Sequence, residues 1–214
     1  MRLGVLGGTF DPVHQGHLIL AAMAHEQLSL DWVSFVPAGQ PWRKEALDDQ
    51  LHGVRMGFAF KSGRAVAAAG HRVQMLRLAI SSNSAFDVAT VEVERSGPSY
   101  TADTLEWFRQ QQSTAELFFI LGQDALADLP NWHRPDRILE LASLAVAHRP
   151  GGRDSVEQEV AALPGLAEHV IWISMPQMEI SASEIRRRVK DRRPIRYLVP
   201  DPVEAYIREQ GLYR

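Results

Sequence analysis

The chain begins with a short apolar run that leads directly into two glycines and then into a helical pattern. The run, Leu3 to Leu6, has the length and continuity of a strand buried on both faces of a parallel sheet. Gly7 and Gly8 lack a Cβ, so their backbone can approach a ligand closely. The periodic segment Leu18 to Leu28 follows and predicts a helix. This order predicts a strand, a tight turn and a helix whose N-terminus can face an anion.

The same alternation of strand and helix patterns continues along the rest of the chain. Candidate strands are Trp32 to Val36, Phe86 to Val93, Leu117 to Leu121, Leu144 to Ala147 and Val170 to Ile173. Candidate helices are Thr101 to Gln112, Arg134 to Leu141, Ser181 to Lys190 and Pro202 to Gln210. We therefore predict a Rossmann-like α/β fold with a doubly wound, mainly parallel sheet and helices on both faces. We expect one domain over residues 1–214, with a small C-terminal helical portion over residues 181–214.

One segment does not fit the alternation. The stretch between Lys44 and His71 is too long for a simple connection between a strand and a helix. We interpret it either as an irregular surface excursion or as a basic flap that closes over phosphates.

Composition excludes several functional classes. The 214 residues are 45% hydrophobic and 23% charged, which is typical of a globular protein. The absence of cysteine excludes disulfides, iron–sulfur clusters and thiol catalysis, and a net charge of −3 argues against a nucleic-acid partner. No apolar run approaches the roughly 18 residues of a membrane span, and no charged-then-apolar leader precedes the first strand. We expect a cytoplasmic protein without a membrane partner, either a monomer or a homo-oligomer.

Two histidines stand at the start of the first predicted helix. His14 and His17 place imidazole donors where the helix dipole favours an anion, and imidazoles can be charged near neutral pH. A single histidine at such a place is often only a cap or a satisfied core residue, and an HxxH pair can be half of a metal site. No third ligand stands at short spacing, so we expect no metal held by the protein itself.

Two further polar clusters follow predicted strands. Arg43 and Lys44 deliver adjacent cations to the same sheet edge, where they either neutralise phosphate or lie in a solvated loop. Ser99 or Thr101 is expected to cap the next helix. The free N–H groups of that helix start could also receive a carboxylate.

The C-terminal half adds an aromatic residue and a serine-rich helix start. Trp132 is either a core aromatic or a flat face for a ring ligand. Ser181 and Glu184 have the spacing of a capping box, and Arg186 behind them could add charge for a polyphosphate.

Four sequence blocks together resemble a known enzyme family. They are GGTFDPVHQGH, PSYTADTL, FILGQDALADLPNWHR and ISASEIRRRV, the last followed by LVPDPVEAYIREQGLY. The first resembles the (T/H)xGH signature of the nucleotidyltransferase superfamily. The other three resemble bacterial nicotinate-nucleotide adenylyltransferases, and the resemblance covers nearly the whole chain. Arg43 stands where that family usually has a histidine.

The resemblance implies a reaction. It implies transfer of AMP from ATP to nicotinate mononucleotide, with Mg²⁺ held mainly by the ATP phosphates, giving nicotinate adenine dinucleotide and pyrophosphate. Two alternatives remain. One is a related adenylyltransferase that accepts nicotinamide mononucleotide or pantetheine phosphate, and the other is a nucleotide-binding sensor without turnover.

The resemblance also implies a role for each motif residue. His14 and His17 would be catalytic, as donors to the α-phosphate. ATP would be bound by Gly8, Thr9, Phe10, Gly122, Asp124, Ser181, Ser183 and Arg186. Phosphate charge would be neutralised by Arg43 and Lys44. The nicotinate nucleotide would lie against Thr101, Trp132 and the amide of His133.

Overall fold

The structure is built on one parallel sheet. It is a computed structural model that describes residues 1–39, 66–148, 165–176 and 178–214. The strands are β1 (Arg2–Gly8), β2 (Trp32–Pro37), β3 (Phe86–Val88), β4 (Glu116–Gly122), β5 (Ser143–His148) and β6 (Val170–Ser174). Their order is β3-β2-β1-β4-β5-β6, and every neighbouring pair is parallel. The predicted Rossmann-like, doubly wound fold class is confirmed, and the described sheet is wholly parallel.

Helices connect the strands and cover both faces. They are α1 (Gln15–Gln27), α2 (Ala69–Ile80), α3 (Val91–Glu94), α4 (Thr101–Gln111), α5 (Gln123–Ala127), α6 (Pro135–Leu141), α7 (Leu166–His169), α8 (Ala182–Lys190) and α9 (Asp201–Glu209). A 3₁₀ turn, Leu129–Asn131, separates α5 from α6. No helix within the described ranges is both long enough and apolar enough to cross a membrane.

The two faces of the sheet have separate cores because side chains alternate along each strand. From β1, Leu6 packs on one face with Phe35, whereas Leu3 and Val5 pack on the other face. The first core contains residues of α1, α2, α8 and α9, and the second contains residues of α4 and α6. Each fully buried Leu, Ile, Val or Phe contributes about 1.5–3 kcal/mol. The two cores therefore hold helices against both faces of the sheet, next to the carboxyl ends of the strands.

The C-terminal helices share the first core. Ile185 of α8 and Val203 and Ile207 of α9 are buried there together with Phe35 of β2. This packing holds the serine-rich start of α8 against the main sheet. The division into one domain with a C-terminal helical portion stays a prediction.

Three local predictions are wrong. The strand predicted over Phe86 to Val93 ends at Val88. The Ala89 N–H donates the last bond to the Phe35 carbonyl, and the chain then enters α3. The helix α2 was not predicted, and its first residues, Ala69 to His71, fall in the stretch interpreted as irregular. The cap predicted for α4 is also absent, since Tyr100 occupies the N-cap position and no side chain caps it. The part of that stretch before residue 66 lies outside the described residues.

Candidate active site

The first, second and fourth strands deliver their carboxyl ends to one edge of the sheet. Gly8 at the end of β1 pairs with Pro37 at the end of β2, and Ala38 N–H donates to the Gly8 carbonyl at 2.9 Å. β4 ends at Gly122 on the other side of β1. The predicted motif residues Gly8, Thr9 and Gly122 thus meet at this edge, which is where ligands bind in open parallel sheets.

The loop after β1 is held in one shape by the Phe10 ring. Phe10 has a left-handed backbone with φ of 51°, an uncommon conformation for a residue with a side chain. Its buried ring contacts His17 edge-on, with centroids 4.9 Å apart, and lies 5.8 Å from the Phe35 ring. A Cβ on Gly8 would lie 2.9 Å from the Phe10 ring, so only glycine fits there. The packed ring therefore fixes the main chain that precedes His14.

The two predicted catalytic histidines form a stacked pair at the start of α1. Their ring centroids are 3.7 Å apart with an interplanar angle of 25°, and His14 is the N-cap residue. The His14 N–H donates to Nδ1 of His17 at 3.2 Å. Since that Nδ1 accepts a hydrogen bond, a neutral His17 carries its proton on Nε2. His17 is therefore held in the tautomer that can donate from Nε2.

Burial disfavours the charged form of both imidazoles. It lowers the pKa of His14 from 6.5 to about 4. Burial, and then the charge of the stacked His14, lowers the pKa of His17 well below its usual value. Burial therefore works against the charged form that the sequence analysis considered possible near neutral pH. The buried Nδ1 of His14 has no hydrogen-bond partner among the described residues.

The start of α8 contacts the loop after β1, although the two segments are far apart in sequence. Ser181 caps α8, because its Oγ accepts from Glu184 N–H at 3.2 Å, as the capping-box spacing predicted. The Arg186 guanidinium donates to the Asp11 carbonyl at 2.6 Å and to Ser183 Oγ at 3.2 Å. The structure thus brings Ser183 and Arg186 to the histidine loop, and Arg186 has protein partners there.

Asp11 organises this side of the site, and the sequence analysis did not single it out. Its buried carboxylate accepts from Tyr213 O–H at 2.6 Å and from Ala67 N–H at 3.2 Å, and Arg186 Nη1 lies 3.7 Å away. Burial and the nearby Asp11 charge raise the pKa of Tyr213 above its usual range, so the phenol stays a donor. The C-terminal tail is thereby bonded to the first motif.

The loop after β2 is joined to the start of α4. Ser99 Oγ accepts from Gly39 N–H at 2.9 Å, which explains why Ser99 does not cap the helix. A Cβ on Gly39 would lie 1.9 Å from the carbonyl oxygen of Glu92, so the two backbones are in direct contact. Thr104 Oγ1 donates to Glu92 Oε1 at 2.6 Å, and burial raises the pKa of Glu92. The sequence analysis missed Glu92, whose buried carboxylate holds these two segments together.

The predicted nicotinate residues lie near the N-terminus of α4. Thr101 is its first residue, and the exposed His133 ring stacks on Tyr100 with centroids 4.2 Å apart. Trp132 is half-buried against Phe119, with ring centroids 6.0 Å apart. Its Nε1 is buried and has no acceptor within the described part of the chain. Thr101, Trp132 and His133 are therefore grouped by the fold.

Ion pairs hold the Trp132 segment against α4. Arg134 donates to Asp103 and, at 3.2 Å, to Oε1 of Glu106. Arg137 donates to the same Glu106 oxygen at 2.9 Å. The paired arginines lower the pKa of Glu106. These contacts fix the Trp132 segment relative to the start of α4.

The remaining predicted site residues lie at the start of α5 or outside the described residues. Gly122 is the N-cap of α5, and Asp124 is exposed in its first turn. Arg43 and Lys44 lie outside the described residues. In the described ranges no group of three or more histidines, aspartates or glutamates is placed to hold a metal ion.

The fold and this edge of the sheet define a nucleotidyltransferase-type protein. The chain belongs to the cytidylyltransferase-like family, whose model matches residues 5–188. Among its relatives, a Thermomicrobium roseum protein named probable nicotinate-nucleotide adenylyltransferase is 46% identical over 213 residues, covering 100% of this chain and 92% of the relative. A Roseiflexus protein of the same name is 42% identical over 212 residues, covering 99% and 98%.

Solved structures support the same fold. Plasmodium falciparum nicotinic acid mononucleotide adenylyltransferase complexed with NaAD superposes with a TM-score of 0.72, covering 99% of this chain and 97% of that chain, at 17% identity. The same enzyme complexed with APC gives a TM-score of 0.71. At this identity the likeness concerns the fold.

Proposed function

We propose that the protein transfers AMP from ATP to nicotinate mononucleotide, forming nicotinate adenine dinucleotide and pyrophosphate. The observation that carries the reaction class is the stacked pair His14 and His17 at the start of α1, with the His14 N–H bonded to Nδ1 of His17. The acceptor is inferred from the full-length relatives named probable nicotinate-nucleotide adenylyltransferase.

The chemistry requires alignment more than proton transfer. A phosphate oxygen of nicotinate mononucleotide attacks the α-phosphorus of ATP, the bond to the bridging oxygen breaks, and pyrophosphate leaves. The second pKa of a phosphate monoester is about 6, so the nucleophile is already anionic and needs no general base. The protein must bring two polyanions together and stabilise the negative charge that develops at the α-phosphate.

The two histidines supply the donors for that charge. His17 can donate from Nε2 while neutral, because its Nδ1 already accepts from His14 N–H. A well-placed donor of this kind contributes about 3 kcal/mol to the transition state. His14 begins neutral and gains a proton when a phosphate approaches, because the anion favours the charged imidazole. The amides of Gly8, Thr9 and Phe10 add donors in the same loop.

The other side of ATP is assigned to the second and fourth blocks. Ser181, Ser183 and Arg186 hold the phosphates, and Gly122 and Asp124 lie along the adenosine. Arg43 and Lys44 neutralise phosphate charge from the loop after β2. Mg²⁺ enters with ATP, bound mainly by its phosphates, and reduces their negative charge.

Selection of nicotinate mononucleotide over nicotinamide mononucleotide depends on backbone N–H groups that face the nicotinate carboxylate. The N–H of Thr101 in the first turn of α4 needs a partner from outside the helix, and the His133 ring stacks on the neighbouring Tyr100, so we assign the second donor to the His133 amide. A carboxylate accepts from both, whereas a carboxamide presents an NH₂ group that repels them. Trp132 offers its ring face to the cationic pyridinium, an interaction of roughly 0.5–2 kcal/mol.

The test is pyrophosphate release from ATP and Mg²⁺ with three acceptors in parallel. We expect nicotinate mononucleotide to support release at least tenfold faster than nicotinamide mononucleotide or pantetheine phosphate, with the dinucleotide identified chromatographically. Equal rates with both mononucleotides would contradict the carboxylate pocket. Activity with pantetheine phosphate alone would indicate the related adenylyltransferase. Nucleotide binding without release from any acceptor would indicate a sensor.

A further inference from the structure

A single buried arginine connects the loop after β1 to the loop after β2. Arg72 of α2 is 2% exposed. Its guanidinium donates to the Thr9 carbonyl at 2.9 Å, to the Ala67 carbonyl at 2.9 Å and to the Gly39 carbonyl at 3.5 Å. The fork of one guanidinium thus bonds three separate stretches of main chain.

Among the residues that the structure describes, no carboxylate contacts this cation. Within the described residues Arg72 forms no ion pair closer than 4.0 Å, and Asp11, Tyr213 and Glu92 act on it only from a longer range. Burying a cation without a contacting counterion is costly, and a purely apolar side chain would fill the same space without that cost. The charge and the three bonds therefore need an explanation beyond packing.

The bond to Thr9 fixes the direction of the next amide. The peptide group between Thr9 and Phe10 is trans and planar, so its N–H points opposite to its carbonyl. With the Thr9 carbonyl directed at Arg72, the Phe10 N–H must point away from Arg72. No described residue accepts a hydrogen bond from this N–H. An amide with a fixed direction and no acceptor among the described residues is suited to receive a ligand oxygen.

The bond from Arg72 to the Gly39 carbonyl holds the loop after β2, which lies beside the predicted site of the nicotinate nucleotide. The Gly39 carbonyl accepts from Arg72, while the Gly39 N–H donates to Ser99, next to the start of α4. Arg72 is thereby the shared contact of the loop that carries the histidines and the loop that abuts the predicted nicotinate pocket.

We propose that Arg72 is a positioning residue for the transfer reaction, one that aims the Phe10 N–H at the phosphate of ATP and sets the spacing between the two substrate loops. The proposal rests on the proposed function, because it needs a polyphosphate substrate in front of the loop after β1. Arg72 itself contacts main chain and not the reacting atoms.

Three variants separate positioning from folding. Arg72→Met removes the charge and all three bonds, and Arg72→Lys keeps a charge but cannot bridge three carbonyls. Arg77→Met is the matched control, because Arg77 is exposed on the same helix. With Arg72→Met we expect kcat to fall about 100-fold with the KM for ATP within a few-fold, which is the effect of losing one directed donor. Arg72→Lys should lose about tenfold, and Arg77→Met should stay within twofold.

A second measurement follows the amide directly. In protein labelled with ¹⁵N-phenylalanine, the Phe10 resonance is one of eight, and it is assigned by its loss in Phe10→Leu. ATP should shift this resonance strongly downfield in the wild type and in Arg77→Met, and much less in the Arg72 variants. This measurement needs only ATP. Its result therefore does not depend on whether nicotinate mononucleotide is the acceptor.

Two results would overturn the proposal. One is a folded Arg72→Met or Arg72→Lys protein whose kcat is within threefold of wild type, whatever its KM. The other is a Phe10 resonance that moves on ATP addition equally with and without the arginine. A wild-type protein that shifts Phe10 with ATP but forms no dinucleotide would instead refute the proposed function. If Arg72→Met does not fold, the kcat and the Phe10 resonance of Arg72→Lys test the proposal.

Discussion

The neutral His14 should make the protein less stable in mild acid by an amount that follows from its burial. Its pKa is about 4 in the folded state, against 6.5 for the unperturbed side chain. At pH 5 the unfolded imidazole is almost fully protonated, whereas only about a tenth of the folded imidazole is. The unfolded chain therefore binds more protons, and stability falls as the pH falls from 6.5 toward 4. The loss between pH 7 and pH 5 is about 2 kcal/mol from this one group.

The measurement is the free energy of unfolding in urea at both pH values for wild type, His14→Gln and His133→Gln. Glutamine keeps a polar side chain of similar size without titrating near neutral pH. The wild-type drop between pH 7 and pH 5 should exceed that of His14→Gln by about 2 kcal/mol. His133→Gln removes an exposed imidazole and should keep the wild-type drop. Equal drops in wild type and His14→Gln would refute the reasoning, since carboxylates and His17 titrate in both proteins.

Three further predictions concern the same edge of the sheet. His17→Ala should lower kcat about 100-fold or more in the pyrophosphate assay and keep ATP affinity within a few-fold, and retained kcat would remove His17 from the mechanism. ATP binding at pH 7 should take up about half a proton or more, because a phosphate charge about 4 Å from His14 raises its pKa by about three units; the binding enthalpy should then depend on buffer ionisation in wild type and much less in His14→Gln. Tyr213→Phe should lower the free energy of unfolding by about 1–3 kcal/mol in urea melts, since Asp11 loses its buried donor. Unchanged stability would mean that water replaces the phenol.

The sequence predicted the parts of the structure that are encoded locally. β1 and β4 appear as continuous apolar runs because both faces of a parallel strand are buried, and the observed bounds differ from the predicted ones by a few residues. The start of α8 was predicted because Ser181 and Glu184 satisfy the capping rule within four residues of chain. The placement of the histidines at the start of α1 follows from the same kind of local pattern.

Contacts between distant segments could not be predicted in this way. Arg186 bonds the Asp11 carbonyl from 175 residues away, and Tyr213 bonds the Asp11 side chain from 202 residues away. No spacing rule connects such positions. A signal for Asp11 did exist, because an acidic residue inside a predicted phosphate loop needs a donor to offset its charge. The helix α2 was missed because its apolar residues Val73, Leu76 and Ile80 follow a stretch with no periodic pattern.

Burial also reversed one electrostatic expectation. Sequence placed His14 and His17 at a helix N-terminus, where a charged imidazole is unfavourable beside the positive end of the dipole as well as useful toward an anion. Burial and the stacked arrangement shift this balance, because they lower the pKa of both imidazoles. The roles assigned to the site residues stay predictions until the variants are measured.

At this site the permanently charged side chains are arginines, whereas the donors assigned to the α-phosphate are histidines. A guanidinium stays charged in proteins, and both Arg72 and Arg186 direct their N–H groups to carbonyls of the loop after β1. Arg72 therefore holds its charge at a fixed place against the main chain of that loop, and Arg186 is anchored to the same loop beside the proposed phosphate site. In the proposed mechanism His17 instead donates to the α-phosphate as a neutral imidazole, since its Nδ1 accepts from His14 N–H, whereas His14 takes up a proton as the phosphate approaches. A cation touching the phosphates would bind ATP and pyrophosphate alike and hold the product, whereas a neutral donor gains most when negative charge grows at the α-phosphate. A neutral His17 donor thus favours turnover over tight binding of polyanions.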